Sequence, residues 1–274
     1  MPYCCGRALD LSTPVIMGIL NITPDSFFDG GNYLTQETQL KQVEKMLEEG
    51  ASIIDLGAVS TRPGAQEVSQ TDELDLLLPV VKNLRQHFPD SIISIDTFRP
   101  VVARAVVEQG ADIINDIYGG RFEQGMLEVV SMLKVPYILM HMKGDPITMQ
   151  VKPEYSDVMA EITYFFEQQL AKCRNQGITQ VLLDPGFGFG KSVAHNFTIL
   201  SHLTSLRSLG APLVVGLSRK SMINKVLQTK PTTALNGTTV LNTIALIKGA
   251  DILRVHDVKE AMEAIRLVNM LHAS

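Results

Sequence analysis

The sequence predicts a (β/α)8 barrel, formed as one domain over residues 1–274. Two observations point there. Eight short apolar runs recur, with amphipathic stretches of helical length between them. A polar residue stands at the end of nearly every run, which spreads candidate ligand groups around a ring. The C-terminal mouth of a barrel needs that ring. A doubly wound sheet, the alternative architecture, gathers its ligand groups at one switch point.

The eight runs are residues 15–20, 52–56, 92–95, 112–115, 137–140, 181–183, 213–215 and 252–255. They are rich in β-branched residues and nearly continuous in apolarity, as parallel strands covered on both faces are. Helical patterns lie between them, among them 37–49, 72–87, 100–109, 153–176 and 236–248. Gly50, Gly110, Gly177, Gly210 and Gly249 close helical stretches shortly before the next strand. The phrases "EEGASIID", "EQGADIIN" and "IKGADILR" repeat one helix-to-strand grammar. Residues 7–11 can form a small plug strand under the barrel.

Composition excludes several classes. Of 274 residues, 45% are hydrophobic and 19% charged, so a large core can be buried. The 24 Lys and Arg against 29 Asp and Glu give a net charge of −5, and no basic patch offers a nucleic-acid surface. Cys4, Cys5 and Cys173 have neither disulfide-framework nor zinc spacing, which suits a reducing cytosol. No run approaches the ~20 apolar residues of a membrane span, and no signal run opens the chain. The expectation is a cytoplasmic protein without a membrane partner.

Two connections are long, "NITPDSFFDGGNYLTQ" at 21–36 and "AVSTRPGAQEVSQT" at 58–71. Ordinary βα loops run about 2–6 residues, and longer ones tend to carry function. Asn21 follows its strand directly, where a carboxamide can meet a hard cation or a phosphate oxygen. Arg62 is a cation on the second loop. Asp96, Asn115 and Asp184 each end an apolar run and can converge over one mouth. Two carboxylates and an amide suit a donor-rich edge such as an aminopyrimidine ring, although any single strand-end Asp can also be a helix N-cap.

"DPGFGFGKS" at 184–192 has glycines at 186, 188 and 190, which match neither a Walker loop nor GxGxxG. It reads as a flexible rim loop presenting Phe187 or Phe189 to a flat ligand. "GLSRKS" at 216–221 opens a helix with Arg219 and Lys220. Cations there are disfavoured by ~0.3–1 kcal/mol each unless a ligand compensates. In "ILRVH", Arg254 and His256 share one strand face beside Asn21, a place that suits a pyrophosphate and its metal. His141 is read as part of the pocket wall, with no role assigned.

Together "MGILNITPDSFFDGG", "DLGAVSTRPGA", "SIDTFRP", "INDIYGG", "ILMHMKGDP", "LLDPGFGFGK", "GLSRKSMI" and "LRVHDV" make the chain resemble the dihydropteroate synthase family over residues 14–258. The resemblance implies a (β/α)8 barrel and a transferase of folate biosynthesis. It joins 4-aminobenzoate to 6-hydroxymethyl-7,8-dihydropterin diphosphate, with Mg2+ as cofactor, giving 7,8-dihydropteroate and diphosphate. It implies that Asp96, Asn115, Asp184 and Lys220 hold the pterin, with Met140 in the same pocket. Asn21, the metal ligand, would hold the diphosphate with Arg254 and His256. Thr61, Arg62, Pro63, Phe189 and Ser221 would line the aminobenzoate site, which sulfonamides share. The catalytic set carried over is Asp25, Arg62, Lys220, Arg254 and His256, with Asp29 an alternative to Asp25. A homodimer is also implied. Two alternatives stay open: a pterin-binding methyltransferase and a silent pterin-binding paralogue. Arg254, His256 and the "TRPG" loop favour the synthase.

Overall fold

The computed structural model describes residues 3–4, 6–22, 35–59, 68–144, 149 and 153–273. The described residues form ten strands: β1 (Tyr3–Cys4), β2 (Arg7–Ala8), β3 (Val15–Asn21), β4 (Ile53–Gly57), β5 (Ile92–Asp96), β6 (Ile113–Asp116), β7 (Tyr137–Met140), β8 (Val181–Asp184), β9 (Val214–Val215) and β10 (Ile252–Val255). The helices are α1 (Gln36–Glu48), α2 (Gln70–His87), α3 (Pro100–Glu108), α4 (Met126–Leu133), α5 (Val158–Asn175), α6 (Val193–Ser201), α7 (Ser221–Leu227), α8 (Leu235–Ile247) and α9 (Val258–Ala273).

Strands β3 to β10 form one parallel sheet in the order β8-β7-β6-β5-β4-β3-β10-β9. A parallel bridge between Leu183 and Leu213 brings the two ends together and closes the ring. The eight predicted runs therefore become the eight barrel strands.

Strand alternation divides the apolar residues into two sets. Ile54, Leu56, Ile93, Ile95, Ile114, Leu139, Leu183 and Leu253 face outward and join the core shared with the helices. Met17, Ile53, Ile92, Ile113, Ile138, Leu182, Val214 and Ile252 face inward and fill the lower barrel. Each strand thus buries both faces, which is why its sequence reads as an unbroken apolar run.

Several boundaries differ from the sequence expectation. The plug under the barrel is not a strand over residues 7–11. β2 is a two-residue arm of a hairpin with β1, and Leu9, just beyond it, enters the lower interior cluster. β6 starts at Ile113, one residue later than expected; the preceding Asp112 carboxylate is buried and accepts from Arg85 Nη2 at 2.6 Å and from the Ile93 N–H at 2.8 Å. α5 starts at Val158 rather than at 153 because the Asp157 carboxylate accepts from the N–H groups of Met159 and Ala160, which fixes the N-cap.

Candidate active site

Above its apolar floor the barrel interior turns polar. The register sets Asn21 beside Gly57, Gly57 beside Asp96, and Asp96 beside Asn115. Gly57 leaves the space between its neighbours open: a Cβ there would lie 3.8 Å from Asn21 Oδ1 and 3.7 Å from Asp96 Cβ. Asn21 thus stands at the rim across this gap from Asp96.

At the centre is Asp55, a carboxylate with no solvent exposure. Arg254 Nε donates to its Oδ2 at 2.7 Å and Ser94 Oγ to its Oδ1 at 2.7 Å, with Asn115 Nδ2 3.4 Å from both oxygens. Arg254 Nη2 also reaches Asp96 Oδ2 at 3.1 Å. One guanidinium therefore bridges two carboxylates. The sequence reading missed Asp55 because it attended to residues at the ends of the runs. The available signal was a carboxylate at an inward position of an otherwise apolar strand.

The electrostatics follow from burial and from these pairs. Burial pushes the Asp96 carboxyl up to about 7, although Arg254 pulls it down. Burial alone would depress Arg254, but Asp55 and Asp96 outweigh it and hold the guanidinium above its ordinary value. Burial brings the Lys220 ammonium down to about 8, against the pull of Asp184. Asp184 is raised by burial, and Lys220 opposes that.

Lys220 Nζ donates to the Phe187 carbonyl and lies 4.9 Å from the centre of the Phe189 ring. Gly216 keeps the adjoining space clear, since a Cβ there would sit 3.7 Å from Lys220 Nζ and 3.8 Å from Arg254 Cβ. Lys220, Arg254, Asp96, Asn115 and Asp184 are thus gathered at one mouth. Phe189 is partly buried against a small cluster containing Met140, Met142 and Phe98, so Met140 lies at the same wall.

Two expectations about the 184–192 loop are corrected. Phe187 does not face a ligand: its ring is fully buried in the outer core, and only its carbonyl serves the site. Nor is the segment a loose rim. Lys191 is buried, and its ammonium donates to the carbonyls of His141, Gly186 and Phe189 at 3.1, 2.9 and 3.0 Å. Gly186, at φ +68°, passes so close to the β7 loop that a Cβ would fall 2.0 Å from the His141 carbonyl oxygen. The glycines that suggested a loose loop are there for backbone-to-backbone contact.

Just past the end of β10, His256 lies two residues beyond Arg254, and its Nδ1 is 2.9 Å from Ser218 Oγ, which also accepts from the His256 N–H at 3.2 Å. Ser221 opens α7 and is exposed. The disfavoured cation at that helix start is compensated within the protein: Arg219 pairs with Asp257 rather than waiting for a ligand. His141 is buried with its ring 5.0 Å from Phe165, and burial depresses its imidazole to about 2, so it stays neutral. Asp116, next to Asn115, serves the backbone: it accepts from the N–H groups of Tyr118 and Gly120 and from the Tyr137 hydroxyl. Asp25, Asp29, Thr61, Arg62 and Pro63 lie outside the described residues.

A family model described as "pterin binding enzyme" matches residues 17–256, from β3 to the end of β10. The chain is 48% identical to the dihydropteroate synthase of Escherichia coli (strain K12) over 268 residues, covering 97% of this chain and 94% of that protein. The chain belongs to the dihydropteroate synthase family. Two solved structures of the family superpose closely. Yersinia pestis dihydropteroate synthase in a sulfonamide drug complex gives a TM-score of 0.94 at 45% identity, covering 99% of this chain and 98% of that one. Xanthomonas albilineans dihydropteroate synthase with 4-aminobenzoic acid gives 0.93 at 40%, covering 100% and 98%.

If Asp55 is the counter-charge that holds Arg254, Asp55→Ala should destabilise the protein by about 3–5 kcal/mol, because it strands a largely buried guanidinium. Asp55→Asn, which keeps one of the two acceptor oxygens, should cost less. Urea unfolding at neutral pH measures both. A loss under about 1 kcal/mol for Asp55→Ala would mean that Arg254 does not depend on Asp55.

Proposed function

We propose that this protein condenses 6-hydroxymethyl-7,8-dihydropterin diphosphate with 4-aminobenzoate, releasing 7,8-dihydropteroate and diphosphate, as a transferase of folate biosynthesis. The observation that carries this reading is the polar ring of Asp96, Asn115 and Asp184 around Arg254. Carboxylates and a carboxamide match the donor-rich edge of a pterin, and an unmatched buried partner would cost ~1–3 kcal/mol. In this assignment Asp96, Asn115, Asp184 and Lys220 hold the pterin against Met140.

The diphosphate lies toward Asn21, Arg254 and His256. Bond breaking sends the electron pair of the methylene C–O bond onto the departing diphosphate oxygen. The amine lone pair of 4-aminobenzoate then forms the new C–N bond, and the amine loses a proton. Arg254 and His256 act on the charge that grows on the leaving group, so their contribution is largest in the transition state. Arg254 suits that task because its Nη1 has no partner among the described residues. Asp25 or Asp29 would stabilise the cation-like methylene or take the proton. Ser221 and Phe189, with Thr61, Arg62 and Pro63, line the aminobenzoate site, where a sulfonamide would compete.

Mg2+ is the proposed cofactor. Among the described residues no group of three or more His, Cys, Asp or Glu could hold a metal. The exposed Asn21 carboxamide, at the rim beside the proposed diphosphate position, is a hard oxygen donor. Mg2+ commonly takes one or two protein ligands and completes its shell with phosphate oxygens and water, so Asn21 fits. When bound, it would neutralise part of the diphosphate charge.

The protein is proposed to work in the cytoplasm as a homodimer. Among the described residues, no helix is long and apolar enough to cross a membrane. A broad apolar face lies on the neighbouring α8 and α9: Val240 and Ile247 are 49% and 53% exposed, and Leu267, Met270 and Leu271 are 71%, 71% and 68% exposed. Such a patch on a helix pair suits a self-complementary twofold contact.

A coupled assay for diphosphate with both substrates and Mg2+ tests the reaction. Release that requires 4-aminobenzoate is expected, and none would refute it. The kcat/KM for the pterin diphosphate should fall as pH rises through about 8, where the Lys220 ammonium loses its proton. Lys220→Met should remove that limb and lower kcat/KM by one to two decades, the equivalent of ~1.5–3 kcal/mol for a charge-assisted bond. An unchanged limb would place the titration elsewhere. Light scattering should read twice 30.1 kDa. Leu267→Asp should reduce it to the single mass, and a monomeric wild-type protein would remove the dimer.

A further inference from the structure

Three residues other than glycine have a left-handed φ among the described residues: Lys134, Arg219 and Gln228. Lys134 and Gln228 cap the C-terminal ends of α4 and α7, where that conformation is routine. Arg219 is different. It lies in the turn from β9 into α7, directly before Lys220, at φ +56°. A residue with a Cβ avoids this region unless its surroundings impose it, and such residues gather at functional sites.

The surroundings of Arg219 do impose it. Its N–H donates to Oγ1 of the buried Thr238 at 3.1 Å, and its carbonyl accepts from Asn224 Nδ2 at 3.3 Å. Its guanidinium grips Asp257 with two bonds, Nε to Oδ2 at 3.1 Å and Nη2 to Oδ1 at 2.5 Å. The residue before it, Ser218, bonds His256. Consecutive residues of the β9 loop therefore hold consecutive residues of the β10 loop. Lys220 departs the other way, to the Phe187 carbonyl and the Phe189 ring. Glycine would adopt this φ without resistance. Arginine adopts it and also ties the turn to the loop that carries His256.

We infer that Arg219 is a positioning residue, whose left-handed backbone and bidentate pair with Asp257 hold the Lys220 ammonium in the barrel mouth and fix the β9 loop against the β10 loop. The inference rests on the proposed function for its kinetic consequence and on geometry alone for the placement of Lys220.

Four variants separate the two parts. Arg219→Gly removes the ion pair and adopts the left-handed φ freely, whereas Arg219→Ala removes the pair and keeps the Cβ that resists that φ. Asp257→Asn removes the charge from the other side. Arg219→Asp combined with Asp257→Arg reverses the pair, with Asp a residue that tolerates a left-handed φ. Two readouts apply to each folded variant. One is steady-state diphosphate release. The other is the acetylation rate of Lys220 with acetic anhydride, followed by peptide mass spectrometry, which needs no activity. Arg219→Ala should lower kcat/KM for 4-aminobenzoate at least tenfold and change Lys220 acetylation at least threefold. Arg219→Gly should fall between it and the wild type, and the reversed pair should recover at least half of the loss on a logarithmic scale. A folded Arg219→Ala with both readouts within twofold of wild type would overturn the inference. If Arg219→Ala does not fold, Asp257→Asn decides by the same thresholds. A wild-type protein that releases no diphosphate would sink the proposed function, and Lys220 acetylation would still decide the role of Arg219.

Discussion

The site depends on one interaction: Arg254 held between Asp55 and Asp96 inside the barrel. A guanidinium placed there alone would pay a large desolvation cost, and so would either carboxylate. Together they form a cluster in which Ser94 and Asn115 supply further hydrogen bonds to Asp55. The cluster fixes a charged side chain on β10 relative to β4, β5 and β6 across the barrel. The two carboxylates hold Arg254 above its ordinary value, while burial, against the pull of Arg254, raises the Asp96 carboxyl to about 7, so a ligand that donates to it favours its ionised form.

The cluster can exist because of what lies under it and around it. The inward Ile, Val, Leu and Met residues of the lower barrel close the interior to water from below. From above, the β7 and β8 loops lie backbone to backbone. Lys191 holds them by spending all three of its hydrogens on carbonyl oxygens. That places the Phe187 carbonyl where Lys220 can reach it. The mouth is therefore shaped in advance along the β7, β8, β9 and β10 side, by bonds that need no ligand.

Much of this was legible in the sequence. The eight apolar runs gave the barrel, and the polar residues ending them gave Asp96, Asn115, Asp184 and the Arg254/His256 pair. What escaped was residues whose meaning depends on a distant partner. Asp55 sits inside an apolar run, and only the closed ring brings it to Arg254, 199 residues away. The ring of Phe187 and that of Phe189 are equivalent in a repeat of Gly and Phe, and packing alone turns one inward and the other to the mouth. Lys191 looks like a phosphate-loop lysine until three carbonyls from two loops surround it. Asp116 and Asn115 are adjacent, and strand alternation sends only Asn115 into the interior. Arg219, which as a charge at a helix start suggested a ligand, is answered by Asp257.

The central claim is that a pterin ring is received by Asp96, Asn115 and Asp184 around a guanidinium already fixed by Asp55. A crystal structure of the protein soaked with 6-hydroxymethylpterin tests it most directly. The expected result is the amino and ring N–H edge within hydrogen-bond distance of Asp184 and Asn115, with Arg254 still on Asp55. A ring bound elsewhere, or one seated at the mouth with Asp184 and Asn115 untouched, would contradict the account.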